Sequence, residues 1–219
     1  MLNMDLWMGQ LREELLSQFP DRLLFLGLQG SRRRGEAQEE SDIDVVAVFD
    51  RLTLVDLNRY RKVVAQMPEG EKGCGFVCGR AELYGWPRHE LFQLEQDTQP
   101  YYGSLRELLP PISKEDLTRC VKIGAANLYH ETCHRVLYDD WPDVEKLKDA
   151  FKAACFTVTL QHYLETGEYL LDREQLRNAE SGDRKRLLTV FLSWKTNPAT
   201  SYEELVELLL RWSSAILAA

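Results

Sequence analysis

Beyond Pro110-Pro111 the sequence offers no run that reads as a strand, and this divides what the chain can build. Apolar residues there recur at helical spacing over about 113–138, 143–166, 172–179, 183–195 and 201–217. Pro142, Gly167, Gly182 and Pro198 separate these stretches. Ser113, followed three residues later by Asp116, has the pattern of a helix N-cap with an acidic N3 residue. Hydrophobic residues make up 44% of the chain, enough to give such helices a shared core. The pattern predicts an all-α helical bundle over residues 109–219.

The first half reads differently. Asn3 to Gln18 carries Leu6, Trp7, Leu11, Leu15 and Leu16 at helical period, and Pro20 ends it. Arg22 to Leu28 is a short apolar run. Asp42 to Phe49 is β-branched and apolar, as a central strand would be. Thr53 to Met67 is helical. Gly75 to Gly79 and Glu90 to Leu94 are the further strands expected, and Asp97 to Gly103 a turn. Alternating elements of this kind describe an α/β or α+β domain, placed here over residues 1–108.

Chemistry concentrates in LGLQGSRRRG (residues 26–35) and SDIDVV (residues 41–46). A strand delivers the chain to Gly30, where the missing Cβ lets backbone N–H groups come close to a ligand. Ser31 adds a hydroxyl, and a short helix starting here would turn its positive end to an anion. Arg32, Arg33 and Arg34 supply forked cationic donors beside this phosphate cradle. On a strand, residues i and i+2 share a face, so Asp42 and Asp44 project together while Ile43 points the other way. Two neighbouring carboxylates repel unless a cation lies between them. Mg²⁺ favours one or two carboxylates together with phosphate oxygens.

The stretch closely resembles the signature of the DNA polymerase β superfamily of nucleotidyltransferases: strand, Gly-Ser, short helix, then Asp-x-Asp on the next strand. Gly30, Ser31, Asp42 and Asp44 match position by position. With Gly35 and Ser41 included, the segment is similar to the small bacterial branch, which holds aminoglycoside and lincosamide nucleotidyltransferases and minimal antitoxin-type enzymes. The resemblance implies an α+β fold with a mixed, five-stranded sheet. It also implies ATP or another nucleoside triphosphate as co-substrate, two Mg²⁺ ions and a hydroxyl acceptor. That acceptor is a small molecule such as an aminoglycoside-like antibiotic or, as in the antitoxin-type enzymes, a protein hydroxyl. Asp42 and Asp44 would bind metal, and Gly30, Ser31, Arg32 and Arg34 the triphosphate. The family also needs a third carboxylate on a later strand, and Glu82, Glu90, Glu95 and Asp97 are the candidates. Glu90 is the first choice, as a catalytic and metal-binding group. RHELFQL (residues 88–94) resembles the Arg-Glu-Leu-Gln-Phe segment of streptomycin/spectinomycin adenylyltransferases, whose Glu is a base. Asp97 is second. Without a working third carboxylate, the chain would be a nucleotide-binding module and no catalyst.

Other features narrow the function. A net charge of −8 argues against a general nucleic-acid binder, whose affinity comes from phosphate neutralisation. No run reaches the ~18 apolar residues of a membrane span, and the first residues lack a signal-peptide pattern, so a cytoplasmic location is expected. Five scattered cysteines do not make a disulfide framework, and Cys74 and Cys78 read as small residues on a strand. His130 and His134 complete an H-E-x-x-H pattern, but no third zinc ligand stands near them. Most of the aromatic residues, Trp141 and Trp212 among them, are expected in the core. The oligomeric state is left open, a homodimer included.

Overall fold

The computed structural model describes residues 2–139, 142–194 and 201–219; Trp141 and Pro198 lie outside them. The chain forms two compact units, residues 1–112 and 113–219. The first unit is built on a mixed sheet flanked by helices, the second on helices alone.

In the first unit the order is α1 (Met4–Gln18), β1 (Leu23–Gln29), α2 (Gly30–Arg34), β2 (Ile43–Phe49), α3 (Leu54–Gln66), β3 (Gly73–Gly79), α4 (Arg80–Gly85), α5 (Arg88–Asp97), β4 (Gln99–Tyr102) and α6 (Leu105–Leu108). The sheet runs β3-β2-β1-β4, four strands where the resemblance implied five. β2 pairs with β1 antiparallel and with β3 parallel, so the sheet is mixed. β4 adds to the other edge of β1, antiparallel.

Two expectations need correction here. Glu90 to Leu94 is helical, part of α5, and Gln99–Tyr102 is a strand within the segment expected to turn. Leu91 and Leu94 explain the first. At a spacing of three residues they lie on one side of a helix, and both are buried. A strand would have put them on opposite faces of the sheet. The second follows from Pro100, which lacks an N–H and is tolerated in β4 because β4 is an edge strand.

Alternation along β1 and β2 gives the sheet two buried faces. Leu26, Leu28, Ile43, Val45, Ala47 and Phe49 pack with Trp7, Leu11, Leu15 and Phe19 from α1 and its end and Val63 and Val64 from α3. Phe25, Val46 and Val48 face the other way, onto Leu83 of α4, Leu91 and Leu94 of α5 and Leu105 of α6. A strand covered on both sides reads as a continuous apolar run, as β2 does after Asp44. α3 starts at a capping box in which Thr53 and Asp56 satisfy each other's backbone N–H. Asp56 also receives Arg22 Nη1 at 2.8 Å, and Arg22 Nε meets Asp50 at 3.0 Å, tying the entry of β1 to the start of α3.

The second unit contains α7 (Lys114–Tyr138), α8 (Lys148–Thr166), α9 (Arg173–Ala179), α10 (Gly182–Leu192) and α11 (Tyr202–Ala218). The Ser113/Asp116 capping box is present at the start of α7. α7 packs against α8 and α11, and α8 against α10. Inside this unit His162 Nδ1 lies 2.8 Å from Glu180 Oε1, while Arg184 Nε reaches Glu180 Oε2 at 2.8 Å, so the buried carboxylate has a partner on each oxygen. Of the aromatic residues expected in the core, Phe151 and Trp212 are buried, whereas Tyr102 and Tyr129 are exposed. Among the described residues no helix is long and apolar enough to cross a membrane.

The Arg22 guanidinium holds the Asp56 carboxyl well below the usual aspartate range. A carboxyl depressed in the folded state leaves the unfolded state holding more protons, so stability rises with pH. The contribution is complete above the unfolded value of ~3.9 and is lost as pH falls through the folded one. Asp56→Asn should therefore lower stability at pH 7, with the gap to wild type closing below about pH 3–4. Urea unfolding of both proteins across pH 2–7 checks this; a gap that stays constant over that range would contradict it.

Candidate functional site

β1 ends at Gln29 and the chain turns at Gly30, whose φ of +76° is a left-handed value that residues with a Cβ rarely adopt. α2 follows as a single short turn and closes at Gly35, φ +71°, whose N–H donates to the Ser31 carbonyl. The N–H groups that open such a turn have no partner within it, which is what a phosphate needs.

Asp44 stands directly beside this turn. It pairs across the sheet with Gln29 on β1 and Cys74 on β3. A Cβ built on Gly30 would overlap Asp44 Oδ2, so the carboxylate occupies the space that glycine leaves. Strand β2 begins at Ile43, which is fully buried; Asp42 precedes it and is exposed, and Asp44 is half-buried. Within the strand, Ile43 packs with the α1 and α3 face and Asp44 lies on the other. The two aspartates flank buried Ile43 in sequence, and Asp44 touches the Gly30 turn. Asp42 and Asp44 are the side chains here that could hold a divalent cation.

The three arginines separate. Arg32 was expected at the triphosphate, but its side chain is 5% exposed and its guanidinium donates to backbone carbonyls, to Ser41 at 2.7 Å and Asp42 at 3.1 Å. Arg33 reaches the Gln96 carbonyl at 3.4 Å, and its buried Nε has no hydrogen-bond partner. Arg34 pairs with Glu36 at 2.9 Å, one residue beyond the turn.

Residues 8–73, which span β1, the Gly30 turn, Asp42 and Asp44, match the family described as nucleotidyltransferase domain. Residues 8–73 thus carry the sequence pattern of a nucleotidyltransferase domain. The fold is that of spectinomycin adenyltransferase AAD(9) from Enterococcus faecialis, solved with ATP and spectinomycin; identity is 16%, TM-score 0.56, and the match covers 97% of this chain and 98% of that one. A toxin-antitoxin structure with AMP-PNP is a weaker match, at 16% identity and a TM-score of 0.35, covering 61% of this chain and 96% of that one. No curated protein matches the sequence.

The third carboxylate that the resemblance implied on a later strand does not lie on one. Neither β3 (GCGFVCG) nor β4 (QPYY) contains an acidic residue. Opposite Asp44 on β3 stands Cys74, an exposed thiol. Glu82 lies on α4, and Glu90, Glu95 and Asp97 on α5, so all four candidates are helical. Glu90 is exposed in the first turn of α5 and accepts the Trp86 indole N–H at 2.6 Å. Trp86 in turn stands edge-on to Phe76, with ring centres 5.1 Å apart. Phe76 lies two residues along β3 from Cys74 and pairs with Val46, on the Asp44 face. Asp97 is buried at the far end of α5. Glu95 pairs with Arg106 at 2.6 Å. Among the described residues no three His, Cys, Asp or Glu side chains gather closely enough to hold a metal ion.

Sequence reading missed the Arg32 brace and the Cys74 pairing. The first was disguised as one of three equal arginines. The second needed the register of two parallel strands, which no local pattern encodes. On α7, His130 and His134 are exposed with ring centres 6.3 Å apart, and Glu131 of the same motif pairs with Arg135 at 2.7 Å.

Gly30→Ala should strain the turn by about 1–3 kcal/mol and push the Asp44 carboxylate aside. Thermal unfolding together with titration of Mg·ATP is the check. Wild-type stability and wild-type nucleotide affinity in the variant would show that the turn and the carboxylate are not coupled.

Proposed function

We propose that this nucleotidyltransferase transfers a nucleoside monophosphate, AMP from ATP, to a hydroxyl of a small polar acceptor of the aminoglycoside-like class, releasing pyrophosphate. The observation that carries the proposal is the seating of Asp44 against Gly30, which makes a phosphate turn and a metal-binding carboxylate immediate neighbours. Gly30 and Ser31 bind the triphosphate, and Arg34, next to them, adds positive charge. Asp42 and Asp44 are the ligands for Mg²⁺, which when bound offsets charge on the phosphate oxygens and the leaving pyrophosphate. The acceptor oxygen forms a bond to the α-phosphorus as the bond from that phosphorus to the bridging oxygen breaks, and the acceptor proton passes to a base. Glu90 is the proposed base. It stands on the helix that covers the Asp44 face of the sheet, and its carboxylate is already oriented by Trp86. The acidic balance of the chain, −8, favours a cationic acceptor over a polyanionic one.

A second reading has its own support. β3 and β4 lack an acidic residue, as a domain that retains nucleotide without transferring it would.

Calorimetric titration of ATP, CTP, GTP and UTP with Mg²⁺ tests the binding half of the proposal. Wild type should bind ATP, and Asp44→Asn should weaken it about tenfold or more, the scale of losing a metal ligand or its close support. Equal binding by both proteins would refute the site. Pyrophosphate release against a panel of aminoglycoside-like acceptors tests the second half. Glu90→Gln should lower kcat by about 10²–10⁴ with little change in KM for ATP, as expected for a general base. Binding without pyrophosphate from any acceptor would favour the binding-module reading.

A further inference from the structure

The two site carboxylates are held in different ways. Asp44 lies inside the sheet, with Gln29 on one side and Cys74 on the other, and the ladder fixes its backbone. Strand pairing starts only at Ile43, opposite Gly73. Asp42 therefore stands at the end of the segment between Gly35 and β2, where no ladder holds it.

What holds it is a cluster of side chains from two distant parts of the domain. Arg32 Nη2 donates to the Ser41 carbonyl at 2.7 Å, and Arg32 Nε lies 3.2 Å from the same oxygen and 3.1 Å from the Asp42 carbonyl. Two successive carbonyls are thus taken by one planar fork, a geometry that a lysine ammonium does not reproduce. From the approach to β3, Lys72 Nζ donates to the Glu39 carbonyl at 2.8 Å and to Glu69 Oε2 at 2.9 Å. The same Glu69 oxygen is 3.9 Å from Arg32 Nη2, so one carboxylate sits between both cations. Glu69 has φ +54°, a left-handed value unusual for a residue with a side chain. Within the segment, Ser41 Oγ accepts the Gln38 N–H at 2.8 Å, closing a tight turn just before Asp42.

We propose that Arg32, together with Lys72 and Glu69, is a positioning clamp that sets the Asp42 carboxylate, and that it does not touch the triphosphate. The proposal rests on the preceding reading of Asp42 and Asp44 as metal ligands. It gives the arginines of the run separate roles. The first shapes the metal site from behind, and the phosphate is left to Gly30, Ser31 and Arg34. A residue that orients a metal ligand changes metal affinity without entering the coordination shell. A residue that binds phosphate changes nucleotide affinity whether or not metal is present.

Amide hydrogen exchange and Mg²⁺-dependent ATP binding, both on the full chain, separate these roles. Arg32→Lys should speed exchange across residues 38–42 about tenfold, through loss of the forked bonds. It should also raise the Mg²⁺ concentration for half-maximal ATP binding by about 10–100-fold, with metal-free ATP affinity changed less than about twofold. Lys72→Met should act in the same direction and more weakly, and it carries the test if the Arg32 variant does not fold. An unchanged Mg²⁺ midpoint with ATP affinity lost equally in the presence and absence of metal would overturn the clamp and return Arg32 to the phosphate. If wild type binds no nucleotide, the metal-site reading fails separately. Exchange still decides the clamp in that case, since unchanged rates at residues 38–42 would remove it.

Discussion

The contact between the Asp44 carboxylate and the bare Cα of Gly30 is the constraint around which the N-terminal unit is arranged. It requires a glycine at the end of β1, a left-handed turn there and an antiparallel neighbour in the one register that sets Gln29 opposite Asp44. That register is enforced from below. Ile43, Val45 and Ala47 must meet the helical layer of α1 and α3, and a shift of one residue would bury Asp42 and Asp44 in it. Hydrophobic packing on one face thus places the charged groups on the other. Burial of each large apolar side chain contributes roughly 1.5–3 kcal/mol, so several together outweigh the repulsion of two partly solvated carboxylates.

The local part of this design was legible in the sequence. Gly30 and Asp44 announce themselves because a turn glycine and an i, i+2 carboxylate pair follow from backbone geometry alone. The helices after Pro110-Pro111 were legible for the same reason: capping residues, glycines and periodic leucines act within a few residues of one another. α5 was misread because HELFQL is short, and an apolar run of that length suits a strand or a helix until its neighbours decide. Leu91 and Leu94 decided it by packing with Val46 and Val48, residues more than 40 positions earlier.

Arg32, Arg33 and Arg34 show the same limit in the site itself. Adjacent and chemically identical, they are directed on a single helical turn toward three different places: the Ser41 carbonyl, the Gln96 carbonyl and Glu36. Side chains one residue apart on a helix diverge by about 100°. A run of like charges therefore cannot act as one patch there. Sequence gives the number of charges, and the helix gives their directions. The absence of acidic residues from β3 and β4 likewise gained meaning only when the pairing put Cys74, and no carboxylate, beside Asp44.

The pairing of β1 also bears on how the protein is made. β1 lies between a partner close in sequence, β2, and one far away, β4, whose Gln99 meets Leu28. During synthesis the Gly30 turn and both aspartates leave the ribosome long before residue 99. Until then β1 has an open edge, with unpaired backbone groups next to an incomplete apolar face. Pairings so distant in sequence form slowly, because the intervening chain must first be ordered. The sheet beside the Gly30 turn is thus completed late, by a short strand that contributes no acidic group, and the second unit has the same dependence, since its first helix, α7, packs against its last, α11.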